Sequence, residues 1–391
     1  MVRCRKNAAN YDKCPTGREP VVTAGSEMLG QLLLVGVPGP ELDRETAARF
    51  RALKPGGYIL FARNMAEPEK LRQLIDDLRD LSAVEPIITL DQEGGRVSRL
   101  RTIGSEPPSA QDFRDKGDIA LITRHGELTG RLLRLYGFNL NLCPVLDVSF
   151  DDDADNSLKG RCYGRTPAEV VSNAGAFNTA MRNEGVLSCA KHFPGYSAAS
   201  VDPHHALPVI ERTLEELEAT EFLPFRALLP ESDSVMVGHA WLPCFDPGRP
   251  NWPSSLSANV VNGQLRDSMG FDGLVMTDDL DMGAVLDGMD FDETIRSAIL
   301  AGNDLAMICH RIEMAERARA SLETLDDAVL DRALARVANL KRDFAPPAAF
   351  SLDATTAIDA DIWRLRVDTL GEERARLLSV EDGKRSPVET F

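Results

Sequence analysis

Acidic, basic and imidazole side chains recur at the ends of short apolar runs in this sequence. Asp91-Gln92-Glu93-Gly94-Gly95-Arg96 follows one such run, Asp147 another, Lys191-His192 a third, His239 a fourth and Asp278-Asp279 a fifth. A charged group beside an apolar core is costly unless it is paired or turned towards a ligand, so this placement says more than the same residues scattered over helices. Carboxylates accept hydrogen bonds from hydroxyls, whereas Lys, His and Arg donate to hydroxyl or amide oxygens. The inventory suits a neutral, polyhydroxylated ligand such as a sugar. The competing reading is a rim of salt bridges that bind nothing.

A second constellation lies in the loop Pro194-Gly195-Tyr196-Ser197-Ala198-Ala199-Ser200-Val201-Asp202-Pro203-His204-His205. Asp202 and His204 flank one proline, a spacing that lets the carboxylate hold one imidazole nitrogen while the other faces a substrate, as in an acid/base dyad. The same Asp-x-His is also compatible with a plain turn carrying a solvated histidine. A zinc site built from His192, His204, His205 and His239 is a third reading, against which stands the lack of any HExxH or closely spaced Cys/His set.

The elements that must position these groups are legible as an alternation. Eight apolar runs of strand length, at 30–37, 56–62, 86–91, 138–148, 185–193, 234–241, 273–280 and 304–308, are separated by stretches of helical periodicity. The helical candidates include 68–81, 119–136, 167–184, 213–229, 257–269 and 292–302. Eight near-continuous apolar strands, each followed by a crossover, predict an α/β fold of the closed (β/α)8 barrel type, with its chemistry at the C-terminal ends of the strands. A dinucleotide-binding sheet is disfavoured, because the turn Gly36-Val37-Pro38-Gly39 lacks the glycine fingerprint and its proline removes an N–H from any phosphate nest. The expected organisation is a flexible N-terminal arm over 1–25, a barrel over 26–345 and a C-terminal helical extension and tail over 346–391. A helical stretch from Ile312 to Phe344 ends before Pro346-Pro347, and a further one runs from about Thr355 to Leu378.

Composition narrows the partners. The 391 residues carry 61 Asp+Glu against 44 Lys+Arg, a formal charge of −17, and no basic run, so a nucleic-acid partner is not expected. No apolar stretch reaches the roughly 20 residues that span a bilayer, and no secretory leader is evident, which predicts no membrane partner and a cytoplasmic location. The seven cysteines form an odd, scattered set read as free thiols, in keeping with a reducing compartment. No cofactor and no metal are called for, and a monomer is expected rather than an obligate oligomer.

Several segments, in order, resemble glycoside hydrolase family 3, and within it the bacterial cytoplasmic β-N-acetylglucosaminidase (β-N-acetylhexosaminidase) branch associated with peptidoglycan recycling. They are LDQEGGRVSRL (90–100), NLCPVLDV (141–148), GRCYG (160–164), AKHFPG (190–195), DPHHALP (202–208) and DGLVMTDDLDMGAV (272–285). The resemblance covers about residues 28–342 and implies retaining hydrolysis of terminal N-acetyl-β-glucosaminides, with peptidoglycan-derived fragments as substrates. It puts Asp278 on the nucleophile position, His204 on the acid/base position and Asp202 on that of its partner. Asp91, Arg161, Lys191 and His192 fall on sugar-holding positions, with Arg96 and Met282 nearby and Asp279 in support.

One segment departs from the branch. Its loop usually reads KHFPGHGDT, followed by DSH; here Tyr196, Ser197, Ala198 and Ala199 replace His-Gly-Asp-Thr, and Pro203 replaces Ser. These changes remove backbone freedom and a charge from the loop and stiffen the dyad turn. They leave room for another β-glycoside, for phosphorolysis, or for a sugar-binding barrel without catalysis.

Overall fold

All eight expected apolar runs contribute strands to one parallel sheet that curls almost fully round. The computed structural model describes residues 26–153, 157–196, 207–282, 285 and 289–379; the expected N-terminal arm, the end of the tail, Asp202 and His204 lie outside the described residues. In chain order the strands are β1 (Leu33–Gly36), β2 (Gly57–Ile59), β3 (Ile87–Thr89), a short hairpin of β4 (Gln92–Gly94) and β5 (Val97–Ser98), β6 (Leu140–Asn141), β7 (Leu187–Phe193), β8 (Ser234–Val237), β9 (Leu274–Asp279) and β10 (Leu305–Ile308). The order across the barrel is β3-β2-β1-β10-β9-β8-β7-β6. Leu34 stands opposite Met307 on one side and Gly57 on the other, and every ladder of this sheet is parallel.

Closure falls to asparagines. Between β6 and β3 the backbone supplies Asn139 N to Ile88 O (3.2 Å) and Leu142 N to Leu90 O (3.0 Å). Asn139 Oδ1 also accepts from Ile88 N and Asn141 Oδ1 from Gln92 N, while Asn141 Nδ2 donates to Gln92 O. A buried amide side chain that both accepts and donates can stand in for a missing rung of the ladder. β6 is shorter than its apolar run because Pro144 has no N–H to donate; the chain rejoins the sheet in the Val145–Lys191 bridge.

Helices wrap the sheet, and their first turns are set by side chains in the loops. Asp43 caps Arg44–Leu53, Thr166 caps Pro167–Asn183 and Asp290 caps Phe291–Ala301, each accepting a free first-turn N–H. Two long helical expectations are broken once each. The 213–229 stretch splits into Leu214–Ala219 and Phe222–Leu228, with Pro224 held in the first turn of the second piece, where no N–H is needed. The 312–344 stretch splits into Ile312–Leu322 and Asp327–Arg342, because Asp326 caps a new start by accepting from Ala328 N. Helices Ile119–Tyr136 and Pro167–Asn183 approach closely at Gly126, where a Cβ would lie 2.4 Å from Phe177 O.

The C-terminal extension forms a helix over Leu352–Leu370 and a short turn of helix over Glu372–Ala375. It packs outside the barrel on Ala110–Lys116 and Ile119–Tyr136. Among the described residues no helix is long and apolar enough to cross a membrane, and Cys143, Cys162, Cys189, Cys244 and Cys309 are free thiols.

Candidate active site

Lys191 is almost fully buried, and its surroundings show how the strand ends converge. The register of β7 on β8 shifts between Ala190 and Phe193, so Lys191 and His192 sit at an irregularity that re-aims their side chains. Lys191 Nζ donates to Asp91 Oδ1 (2.6 Å) and pairs with Glu93 Oε1 (2.7 Å). Arg161, in the loop after β6, grips Glu93 with two parallel bonds of 2.8 and 2.7 Å. Arg99 donates to the other oxygen of Asp91 at 3.1 Å. Three cations thus hold two carboxylates in a nearly water-free layer, the setting in which charge-assisted bonds are strongest and most directional.

The electrostatics follow from this packing. Burial alone pushes the Asp91 carboxyl up, but Lys191 and Arg99 outweigh it and hold the group below the usual carboxylate range. The same contest at Glu93 is won by Arg161 and Lys191. Burial disfavours the charge on Lys191, yet Asp91 and Glu93 keep its ammonium above the ordinary lysine value. All three groups are charged at neutral pH.

His192 belongs to a second, linked cluster. Its Nδ1 lies 2.8 Å from Asp147 Oδ2, and that oxygen also accepts from His192 N. Asp147 Oδ1 accepts from Tyr196 N at 3.0 Å, so one buried carboxylate fixes both the histidine and the start of the next loop. With Nδ1–H donating to Asp147, Nε2 is left to accept from Arg161 Nη2 at 3.2 Å. Tyr196, where the loop departs from the family pattern, packs its ring edge-on at 4.9 Å from the His192 ring, and its hydroxyl bonds Ser157 Oγ at 2.8 Å.

Asp278 stands at the end of β9, half-buried, with Oδ1 accepting from Asp279 N at 2.8 Å. Next to it the chemistry is reversed. Asp279 is buried, and burial together with Asp281 and Asp278 pushes its carboxyl up to about 8, although the amides of Asp281 and Cys309 offset part of the shift. His310 Nε2 approaches at 3.4 Å, too far for a strong hydrogen bond, so burial prevails over this contact. His239 bridges β8 and β9 instead of facing a metal: Nδ1 meets Ser255 Oγ at 2.7 Å and Nε2 meets the Asp279 carbonyl at 3.0 Å.

Of the sequence candidates, Asp91, Lys191, Arg161 and His192 form one contiguous network, and Asp278 lies on the same C-terminal face of the barrel. Arg96 lies at its edge, donating to the carbonyls of Lys159 and Ser157, and Met282 is buried beside the Asp279 carbonyl. Asp202 and His204 fall outside the described residues. Glu93 stood in the run end 91–96 without a role of its own, and Arg99, three residues beyond that run, was not singled out from the sequence. The missing signal was tertiary: Gly94, at φ +111°, lies against Pro108 O, and His125, between Phe113 and Phe177, meets the Glu93 carbonyl at 3.1 Å, which buries the hairpin. Burial lowers His125 to about 4, leaving it neutral.

Comparison with known proteins decides the family. Residues 26–340 match the glycosyl hydrolase family 3 N terminal domain. The chain belongs to glycoside hydrolase family 3, in its β-hexosaminidase-like branch. A β-hexosaminidase of Methylococcus capsulatus is 32% identical to this family 3 hydrolase over 344 residues, covering 85% of this chain and 96% of the relative. Among solved structures, a family 3 β-N-acetylglucosaminidase from Paenibacillus sp. superposes with a TM-score of 0.79 at 30% identity, over 87% of this chain and 68% of that one. A fungal multi-domain family 3 β-N-acetylglucosaminidase gives a TM-score of 0.81 at 31% identity, over 87% of this chain; the family 3 hydrolase spans only 42% of that longer protein.

Proposed function

We propose that this family 3 hydrolase is a retaining β-N-acetylhexosaminidase that removes terminal non-reducing N-acetyl-β-glucosamine, with peptidoglycan-derived fragments as substrates and the cytoplasm as its compartment. The observation that carries this reading is the buried Asp91–Lys191–Glu93–Arg161 network on the face that also bears Asp278. An ionised carboxylate has about four acceptor sites, and the two described contacts to Asp91 leave it capacity to accept from sugar hydroxyls. Lys191 and Arg161 supply donors for hydroxyl and acetamido oxygens, and His192, held by Asp147, helps to orient the Arg161 guanidinium. The buried free thiols agree with a reducing compartment.

In the proposed reaction, the Asp278 carboxylate attacks the anomeric carbon and forms a glycosyl ester, while the bond to the leaving oxygen breaks and imidazolium His204 gives that oxygen its proton. Neutral His204 then takes a proton from water, which attacks the anomeric carbon and frees Asp278. Two inversions give retention. Asp202 favours the charged imidazole before the first step. Release of the chromophore from a chromogenic N-acetyl-β-glucosaminide, measured with Asp278→Ala and His204→Ala beside the parent, tests the assignment. Hydrolysis that survives Asp278→Ala would refute the nucleophile; a rate that needs phosphate and yields a glycosyl phosphate would replace hydrolysis by phosphorolysis. A parent silent on a panel of β-glycosides that still binds N-acetylglucosamine would make the barrel a sugar-binding one.

A further inference from the structure

The family domain ends at residue 340, yet the described chain runs on to residue 379 and returns to the side of the barrel that carries Asp91. Helix Leu352–Leu370 presents Arg366, which is nearly inaccessible. Its Nη1 donates to the carbonyl (2.9 Å) and carboxylate (3.0 Å) of Glu106, and its Nε donates to Ala375 O (2.8 Å). The same Glu106 oxygen accepts from Ser379 Oγ at 2.8 Å, and the other oxygen lies 3.4 Å from Arg101 Nη1. About two turns earlier, Asp359 accepts from both the amide and the hydroxyl of Ser105.

Residues 99–108 connect these contacts to the site. Arg99 holds Asp91, and Leu100 N donates to Gln92 Oε1. Pro107 O accepts from Gly95 N at 2.8 Å, in the turn of the hairpin that carries Glu93. An ion pair as deep as Arg366–Glu106 costs more in lost hydration than it returns unless its geometry is held, so its natural use is to fix one arrangement of the segments it joins.

We propose that Arg366, through Glu106, is a positioning residue for the substrate site: the C-terminal extension clamps segment 99–108 and thereby sets the hairpin bearing Glu93 and the Arg99 contact to Asp91. This rests on the reading of Asp91 and Glu93 as part of the substrate site, and it extends that reading to a segment outside the family domain. The clamp acts on binding, since none of its residues is in described contact with Asp278.

The test compares Arg366→Met, the double variant Arg366→Met with Glu106→Gln, and Asp359→Ala in the full chain, with Arg124→Ala as a control that breaks an exposed contact from helix Ile119–Tyr136 to Asp368 on the clamp helix. Amide hydrogen exchange across residues 92–102, in samples shown to be folded by thermal melting, is expected to quicken about tenfold or more in the clamp variants and to stay at the parent rate in Arg124→Ala. KM for the chromogenic N-acetyl-β-glucosaminide is expected to rise about tenfold, with kcat changing far less. If Arg366→Met does not fold, the neutral double variant and Asp359→Ala carry the same readouts. Unchanged exchange in folded clamp variants overturns the clamp. Quickened exchange with unchanged KM overturns its role in the site, while a parent inactive on every glycoside counts against the functional reading and leaves the exchange result to decide the clamp.

Discussion

The two sides of the barrel mouth treat carboxylates in opposite ways. Around β3 and β7, Asp91 and Glu93 are surrounded by Lys191, Arg161 and Arg99, which hold both below the usual carboxylate range. At the end of β9, Asp279 is buried among acidic neighbours and is pushed up to about 8. Equal burial therefore gives opposite results, according to how many cations the fold brings within reach. A matched network fixes donors and acceptors in space and suits recognition. Around Asp279 the acidic neighbours and burial outweigh the His310 contact at 3.4 Å, so a carboxyl that holds its proton stands beside Asp278, the proposed nucleophile.

The sharpest way to break this contrast is to remove Asp278. Asp278→Ala is expected to lower kcat/KM for a chromogenic N-acetyl-β-glucosaminide by about 10⁴-fold or more, because the proposed reaction forms its glycosyl ester on that carboxylate. His204→Ala is expected to lose much less on a substrate with a good leaving group. Comparable losses in both would erase the division between nucleophile and proton donor.

Next in size is the recognition side. Glu93→Ala leaves Lys191 and Arg161 buried with one counter-charge fewer, and breaking such a pair costs about 3–5 kcal/mol, so thermal or denaturant unfolding should report a loss of that order. KM should rise as Lys191 and Arg161 reorient. A neutral result would show that water or a rearranged Asp91 takes over the role of Glu93.

The third test sets the two sides against each other by pH. Asp279 moves from an ordinary 3.8 to about 8 on folding, so between those values the folded state binds more protons than the unfolded one. Its contribution is full below the lower value and lost as pH rises through about 8. Asp91 and Glu93 have the opposite sign: theirs is full above the ordinary carboxylate range and lost as pH falls below it. Melting temperatures from pH 5 to 8 should therefore decline more steeply for the parent than for Asp279→Asn. Parallel curves would show that Asp279 ionises normally.

The smallest effect is expected at the altered loop. Tyr196→Phe removes the hydroxyl contact to Ser157 and should cost about 1 kcal/mol, while the ring still packs on His192. A change in KM greater than the change in stability would make Tyr196 a determinant of substrate fit rather than of loop order alone.

Much of this was legible in the residues. The apolar runs located every barrel strand, since a parallel strand covered by helices must be apolar on both faces. The run ends named Asp91, Lys191, His192 and Asp278. What stayed hidden was pairing: Lys191 is 100 residues from Asp91, and Arg161 is 68 from Glu93. No local pattern encodes such a contact. The hairpin at 92–98 was missed because its polar residues lack the alternation that marks a half-buried strand.

The sequence by itself determined the barrel, the order of its elements and the kinds of group at its mouth, because those follow from local periodicity and from the cost of placing charges beside an apolar core. Only the tertiary structure decided which carboxylates are matched by cations, that Asp147 fixes His192 and that a helix beyond the family domain grips the segment behind Asp91. These outcomes depend on distances between side chains far apart in the chain, and both the strength of a charge pair and the cost of burying one are set by those distances and by the water excluded around them.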